Sequence, residues 1–342
     1  MKRKGVNDIE LLLSELDKQQ LCDFIRGECA NDRHFQQRFL SLGTGFLTSP
    51  KFSDYHARIM DMIEEFGDRH GFVEYSKTFR LNRAICQIID EADIAIQNYQ
   101  WDVAQTILDS IATSGEEILY CGDDSAGELG DILHYCFQKW HELSSDELLP
   151  EGKKSELFEL SLTHFAEGCL KEFDWWWDWI QMAIQLADDE EKQGRIIQEL
   201  DKVINIKGDE WGINYNRQVA QRYKLEIMSK RGTPEEQFKF MYENVSNPDF
   251  RRRLLQMAWD RGDYKEVLRL AVDGATHDSD YAGLVNDWHK WELKVYLQTH
   301  DHAGSLRLYQ YFFFNGGRFG EEAYSMENIY GQMKSIVLED EW

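Results

Sequence analysis

The sequence predicts an all-α protein, arranged as an α-α superhelix in which antiparallel helix pairs stack side by side. Three observations carry that expectation. Apolar residues recur at helical spacing nearly from end to end, with almost no strict alternation of the kind a half-buried strand needs. Only four prolines occur in 342 residues, and each stands where a helix end is expected. The chain also exceeds the size at which one compact core usually stops growing, so it must form either two domains or a repeat array.

In order along the chain, the periodicity places helices near 8–17, 18–30, 31–42, 52–69, 76–98, 101–119, 124–144, 153–170, 171–188, 190–205, 212–230, 234–246, 248–261, 263–274, 280–299, 302–315 and 320–335. Local signals fix several of the starts. Thr233, Pro234 and Glu236 form a capping box with proline at the first helical position: the hydroxyl accepts an orphan amide and the carboxylate reaches back. Asn247 and Pro248 repeat the device fourteen residues later, and Ser49 with Pro50 resembles it more loosely. Two caps so close together imply two short helices in a hairpin. Residues 1–48 are expected to be a cap of short helices, and 49–342 a helical array continuous with it, in one elongated unit.

The hairpin recurs. RGDYKEVLRLAVDG (261–274) aligns with THDHAGSLRLYQYF (299–312) at an offset of 38, with Tyr264 opposite His302. YQWDVAQTILDSIA (99–112) is a fainter echo, with Trp101 in the place of Tyr264. Periods of roughly forty residues belong to helix-pair repeats, because neither helix of a pair can bury its apolar stripe without a neighbour. Roughly seven or eight pairs would fill the chain at that period, wound in the manner of tetratricopeptide or HEAT arrays.

The stretch KRGTPEEQFKFMYENVSNPDFRRRLLQMAWDRGDYKEVLRLAVDG (230–274) resembles the helical-repeat region downstream of the zinc finger in bacterial SWIM zinc-finger proteins, and more distantly tetratricopeptide repeats. LLLSELDKQQLCDFIRGECANDRHFQQRFL (11–40) is similar to the short helices of the same proteins. The resemblance implies a fold rather than an activity, since its motifs are packing patterns. The finger needs a Cys-x-Cys pair and a later Cys-x-His; neither spacing occurs, so no zinc or nucleic-acid role carries over.

Composition narrows the function. A chain 42% hydrophobic and 13% aromatic is rich enough for a packed core. A formal net charge of −24 repels phosphate backbones and anionic lipid surfaces, so neither nucleic acid nor membrane is an expected partner. The opening MKRKG is basic, but an amphipathic segment follows instead of an apolar signal core, and no apolar run is long enough to cross a bilayer. A cytoplasmic protein is expected. Cys22, Cys29, Cys86, Cys121, Cys136 and Cys169 show no disulfide-scaffold or zinc-ribbon spacing and read as free thiols.

FDWWWDWIQMAIQLA (173–187) is the densest aromatic segment. On a helix, Asp174, Asp178, Gln181 and Gln185 form one polar stripe, and two adjoining apolar faces are left. A helix apolar on two faces suits an inner layer, which touches both its hairpin partner and the next repeat. The functional alternative has Trp175 and Trp179 lining a concave groove, where large rigid rings clamp a partner's side chain. Trp101, Trp175, Trp179 and Tyr264 are therefore the candidate partner-binding residues.

Chemistry finds no foothold elsewhere. His300 and His302 flank Asp301 at a helix start and read as turn and packing residues; His134 and His141 lie too far apart to share one ion. The calcium-like opening at 278–283 lacks a glutamate at its twelfth position, and no nucleophile elbow, phosphate-binding loop or His-Glu-x-x-His pair occurs. Arg251, Arg252 and Arg253 point in three directions on a helix, and the paired carboxylates read as solvated surface. No catalytic residue, metal or cofactor is expected. The expected function is a scaffold whose preformed groove takes another protein, with its negative charge speeding encounter with basic partners. The alternatives are a small-ligand sensor or enzyme pocketed at the tryptophan helix and, more remotely, an acidic DNA mimic. The segment 309–330 clusters aromatics near the end of the array, where a capping helix would cover them.

Overall fold

The computed structural model describes residues 16–31, 51–208, 210–315 and 325–337, and among them the chain is helical with no β-strand. One isolated parallel bridge joins Val73 to Gly122, where a Cβ would fall 2.5 Å from the Val73 carbonyl oxygen, so only glycine fits. The helices expected near 8–17 and 31–42, the 1–48 cap and the Ser49–Pro50 turn fall outside the described residues, apart from 16–31. The rest form α1 (Lys18–Asn31), α2 (Phe52–Phe66), α3 (Tyr75–Gln97), α4 (Trp101–Thr113), α5 (Gly115–Tyr120), α6 (Glu128–Ser144), α7 (Glu151–Glu167) and α8 (Trp176–Leu186). They continue as α9 (Glu190–Ile204), α10 (Trp211–Arg231), α11 (Pro234–Glu243), α12 (Pro248–Asp260), α13 (Tyr264–His277), α14 (Ala282–Gln298), α15 (His302–Asn315) and α16 (Met326–Ile336).

The chain divides into two compact units, Met1–Ile196 and Ile197–Trp342, with the division inside α9. In the first, α2 packs on α3 and α4, α3 on α4 and α6, α4 on α6, α6 on α8, and α7 on α8. Two polar bridges tie α4 to α7: Lys153 Nζ lies 2.5 Å from Asp102, and His164 Nε2 lies 2.7 Å from Asp109. Ile85, Ile88, Ile89, Ile107, Leu108, Ile132 and Leu133 are fully buried, one apolar stripe from each of α3, α4 and α6.

In the second unit each helix from α10 to α16 packs on its successor. Leu225, Phe250, Leu254, Leu255, Val267, Leu270, Trp288 and Val295 form the larger core. A smaller one joins Leu293, Leu308, Tyr309 and Phe312 to Ile329, so α16 does cover aromatic residues of α15.

Both anticipated caps form. Glu236 N donates to Thr233 Oγ1 while Thr233 N donates to Glu236 Oε2, and Asn247 accepts from Asp249 N. The three segments aligned by sequence share a turn. Tyr99, Gly262 and His300 each stand two residues before a helix start and have left-handed φ of 59°, 72° and 57°. The next amide donates five residues back in every case: Gln100 to Ala95, Asp263 to Ala258 and Asp301 to Tyr296, at 2.8–2.9 Å. These are the long bonds of a Schellman helix end, running straight into the next helix. Asp263 and Asp301 then cap the following helix, accepting from Glu266 N and Gly304 N. His302, however, is exposed, whereas Tyr264 and Trp101 are half-buried.

Two expected helices differ. The 101–119 segment breaks after Thr113, where Thr113 and Ser114 hydroxyls return to the carbonyls of Asp109 and Ser110 and compete with helix continuation. The 171–188 segment becomes helical only at Trp176, because Gly168 and Leu170 take left-handed conformations and the chain turns through 168–175 first.

Candidate functional site

The tryptophan-rich segment is built into the core. Trp176, Trp177, Trp179, Ile180, Met182, Ala183, Ile184 and Leu186 are buried, while the polar stripe of Asp174, Asp178, Gln181 and Gln185 is the part left at the surface. Trp176 stacks on Phe165 at 4.4 Å and 6°, and its Nε1 donates to the Phe165 carbonyl at 2.9 Å. The stripe is itself engaged: Asp178 meets His141 Nε2 at 3.1 Å, and Gln185 joins Ser144 and Ser145.

Of the four residues singled out from sequence, three belong to the first unit and one to the second. Trp179 is 0% exposed, enclosed by Phe137, Trp140 and His164, and so takes the space-filling role. Trp175 is half-buried beside Phe173 and covers Gly130 at the start of α6. Trp101 is half-buried, edge-on to Tyr99. Tyr264, in the second unit, rests on Trp259 at 5.1 Å against the core. Beside that pair is a cleft of about 310 Å³ lined by Lys290, Trp291, Leu293, Lys294 and Leu297. The chain's own Lys294 ammonium lies 4.0 Å and 4.4 Å from the ring centres of Trp259 and Trp291 there.

The reactive side chains are held in quiet states. Burial pushes the Cys86 and Cys121 thiols up to about 11 and Cys169 up to about 12, so all three stay protonated at neutral pH. The three arginines do part company: Arg251 is buried and donates to the Leu270 carbonyl, Arg252 pairs with Asp249 and Asp287, and Arg253 is exposed. Among the described residues no group of three or more His, Cys, Asp or Glu is placed to hold a metal ion, and no helix is long and apolar enough to cross a membrane.

A site that sequence reasoning missed lies in the second unit. A groove of about 610 Å³ opens between the start of α10, the α11–α12 link, the end of α13 and the start of α14. Trp211, Tyr215 and Tyr281 supply its aromatic surface. Trp211 is 70% exposed and stacks on Tyr215 at 5.5 Å and 10°, and Tyr281 is 51% exposed. No other tryptophan among the described residues is as open to solvent. The signal was faint: α10 begins WGINYNRQ, where Trp211 and Tyr215 make a single aromatic pair four residues apart in an otherwise largely polar stretch.

The groove's framework is fixed by committed polar groups. Arg217 donates to the carbonyls of Ile204, Ile206 and Gly208 and to Asn214 Oδ1, which clamps the link before α10 onto that helix. Gln221, buried, donates to Asn244 and accepts from Asn247, whose amide also reaches the Gln218 carbonyl. Asp278, 5% exposed, accepts from Trp288 Nε1 at 2.7 Å. Arg217 and Asp278 are thus tied into the protein, and what faces outward is aromatic and amide-like, with the exposed Ser246 and His277 beside it. No protein-family model, no curated protein and no solved structure matches this chain.

Proposed function

We propose that the protein is a non-enzymatic scaffold of the cytoplasm that binds another protein through the groove at Trp211, Tyr215 and Tyr281. The observation that carries the reading is the exposure of Trp211 in a chain whose other described tryptophans are buried or half-buried. Leaving a large stacked indole in water forgoes the burial free energy it would gain inside, and such rings serve well as interface anchors. We further propose that the helix pairs stack as a tetratricopeptide- or HEAT-like superhelix, as the resemblance of 230–274 to SWIM-associated repeats implies. The shared turns at 99, 262 and 300 and the neighbour-on-neighbour packing support it. A pocket at the tryptophan helix has less support, because those rings fill the core.

The test is photocrosslinking in the native cell, from a photoreactive residue at position 281. The expected result is a discrete adduct that Trp211→Ala removes and Trp101→Ala leaves intact. Equal adducts in both variants, or none, would end the reading.

A further inference from the structure

We infer that the first unit carries a second docking surface, an aromatic ladder of Tyr120, Phe173 and Trp175, and that its occupant is an arginine-bearing segment of a partner protein. The ladder shares no residue with the groove at Trp211. Local geometry builds it. α5 lies against the turn before α8 because Gly115 leaves room: a Cβ there would fall 2.7 Å from Leu170 Cδ2. Gly168 and Leu170, both left-handed, fold that turn back and deliver Phe173 to the end of α5. The ring centres of Tyr120 and Phe173 are then 5.6 Å apart, Trp175 follows Phe173 at 6.2 Å, and its edge reaches Gly130 in α6. Tyr120 is 68% exposed and the other two rings are half-buried. Neither the Tyr120 hydroxyl nor the Trp175 indole N–H has a hydrogen-bond partner among the described residues.

Charge names the occupant. Residues 1–196 hold 38 acidic against 19 basic side chains, so this unit carries −19 of the chain's −24. The excess is sharpest at the ladder: 115–131 has six carboxylates and neither lysine nor arginine, and 171–178 adds three more against Lys171 alone. Asp124 and Asp178 are tied to amides at the start of α6 and to His141. Glu116, Glu117 and Glu172 are exposed and pair with no cation among the described residues. Glu116 and Glu117 precede Tyr120 by four and three positions on α5, which sets them beside its ring, and Glu172 adjoins Phe173. A guanidinium answers both features at once, because its plane stacks on aromatic faces and its fork bonds carboxylates bidentately. An ammonium is a compact, strongly hydrated charge and fits the rings less well. An apolar segment would strip water from unpaired carboxylates, and an acidic one would be repelled.

The experiment titrates the full chain with three fluorescent decapeptides, acetylated and amidated: alternating arginine and serine, lysine and serine, and glutamate and serine. Salt at about 0.15 M screens distant charges. The arginine peptide should bind saturably, at least roughly threefold tighter than the lysine peptide, and the glutamate peptide should not bind. Tyr120→Ser, and separately Glu116→Gln with Glu117→Gln and Glu172→Gln, should each weaken binding by roughly tenfold. All four residues are exposed, so these variants keep the fold. Glu235→Gln with Glu243→Gln and Asp260→Asn removes equal charge from exposed positions of the second unit and should change nothing, as should Trp211→Ala. Equal affinity for the two basic peptides, or equal losses from the two charge sets, would overturn the proposal, since a diffuse field would then explain the attraction. Loss in Trp211→Ala with Tyr120→Ser unchanged would discard the ladder and keep the groove. Self-association of the chain that Tyr120→Ser abolishes, read by analytical ultracentrifugation without peptide, would assign the surface to a second copy and overturn the proposal as well.

Discussion

Helices α8 and α10 both begin with tryptophan and treat it in opposite ways. In α8 the rings of Trp176, Trp177 and Trp179 are at most 5% exposed, and Trp176 has its N–H satisfied by a backbone carbonyl. In α10 Trp211 lies 70% exposed beside Tyr215, at the polar start of a helix that buries Val219, Ala220, Leu225 and Ile227 further along. The contrast teaches that aromatic density marks construction here, while a single aromatic pair on a polar helix start marks the surface that function can use. Dense tryptophans on two faces of a helix have neighbours on both sides to cover them. Trp211, on the first turn, has Tyr215 beside it and stays open on its other side.

The largest expected effect sharpens that contrast. Trp179→Ala should cost about 3–5 kcal/mol, because it empties a fully enclosed ring site. Trp211→Ala should stay within about 0.5 kcal/mol, as surface substitutions do. Urea unfolding of the two variants reads the difference directly, and equal costs would break the comparison. Next, Gly274→Ala should cost about 1–3 kcal/mol: a Cβ there would lie 2.7 Å from Arg251 Cδ and 3.0 Å from Trp288 Cδ1. Because Trp288 holds Asp278 at the groove, this variant should also weaken groove binding, which links core packing to the site.

Trp176→Phe should cost about 0.5–1.5 kcal/mol by removing one of the two hydrogen bonds to the Phe165 carbonyl, which keeps Gly168 N as a donor, and Trp211→Phe should be nearly neutral. Thr233→Ala removes one half of a capping box and should cost about 0.5–2 kcal/mol by thermal melting.

The smallest effect is electrostatic. Hydrogen bonding to Arg269 holds the Glu266 carboxyl below its usual range. A depressed carboxylate adds stability that is full above its unfolded-state value and is lost as pH falls through its folded-state value. The gap in unfolding midpoint between the native chain and Arg269→Gln should therefore be present at pH 7 and close as acid is added below about pH 4.5. As the pair is partly exposed, the gap is expected to be about 1 kcal/mol or less.

Much of the fold could be read from residues close together in the chain. The polar stripe of α8, the caps at Thr233 and Asn247 and the turn shared by Tyr99, Gly262 and His300 all depend on contacts within a few residues, where periodicity and capping chemistry act. The break at Thr113 was hidden because hydroxyls bonding back to i−4 carbonyls look, in sequence, like ordinary polar helix positions. The groove was hidden for a deeper reason. Trp211, Pro248 and Tyr281 come from three helix starts separated by more than thirty residues each, and the apolar stripe of one helix says nothing about which starts share an edge. Trp179 misled in the other direction: a residue suited to gripping a ligand is equally suited to filling a core.

The most direct measurement is the indole N–H region of a two-dimensional NMR spectrum, recorded as a soluble paramagnetic relaxation agent is added to the labelled chain. Trp211 should broaden first and most, while the resonances of Trp140, Trp176 and Trp179 stay sharp. Broadening of those enclosed indoles with Trp211 unaffected would contradict the division between rings that build and the ring left open to a partner.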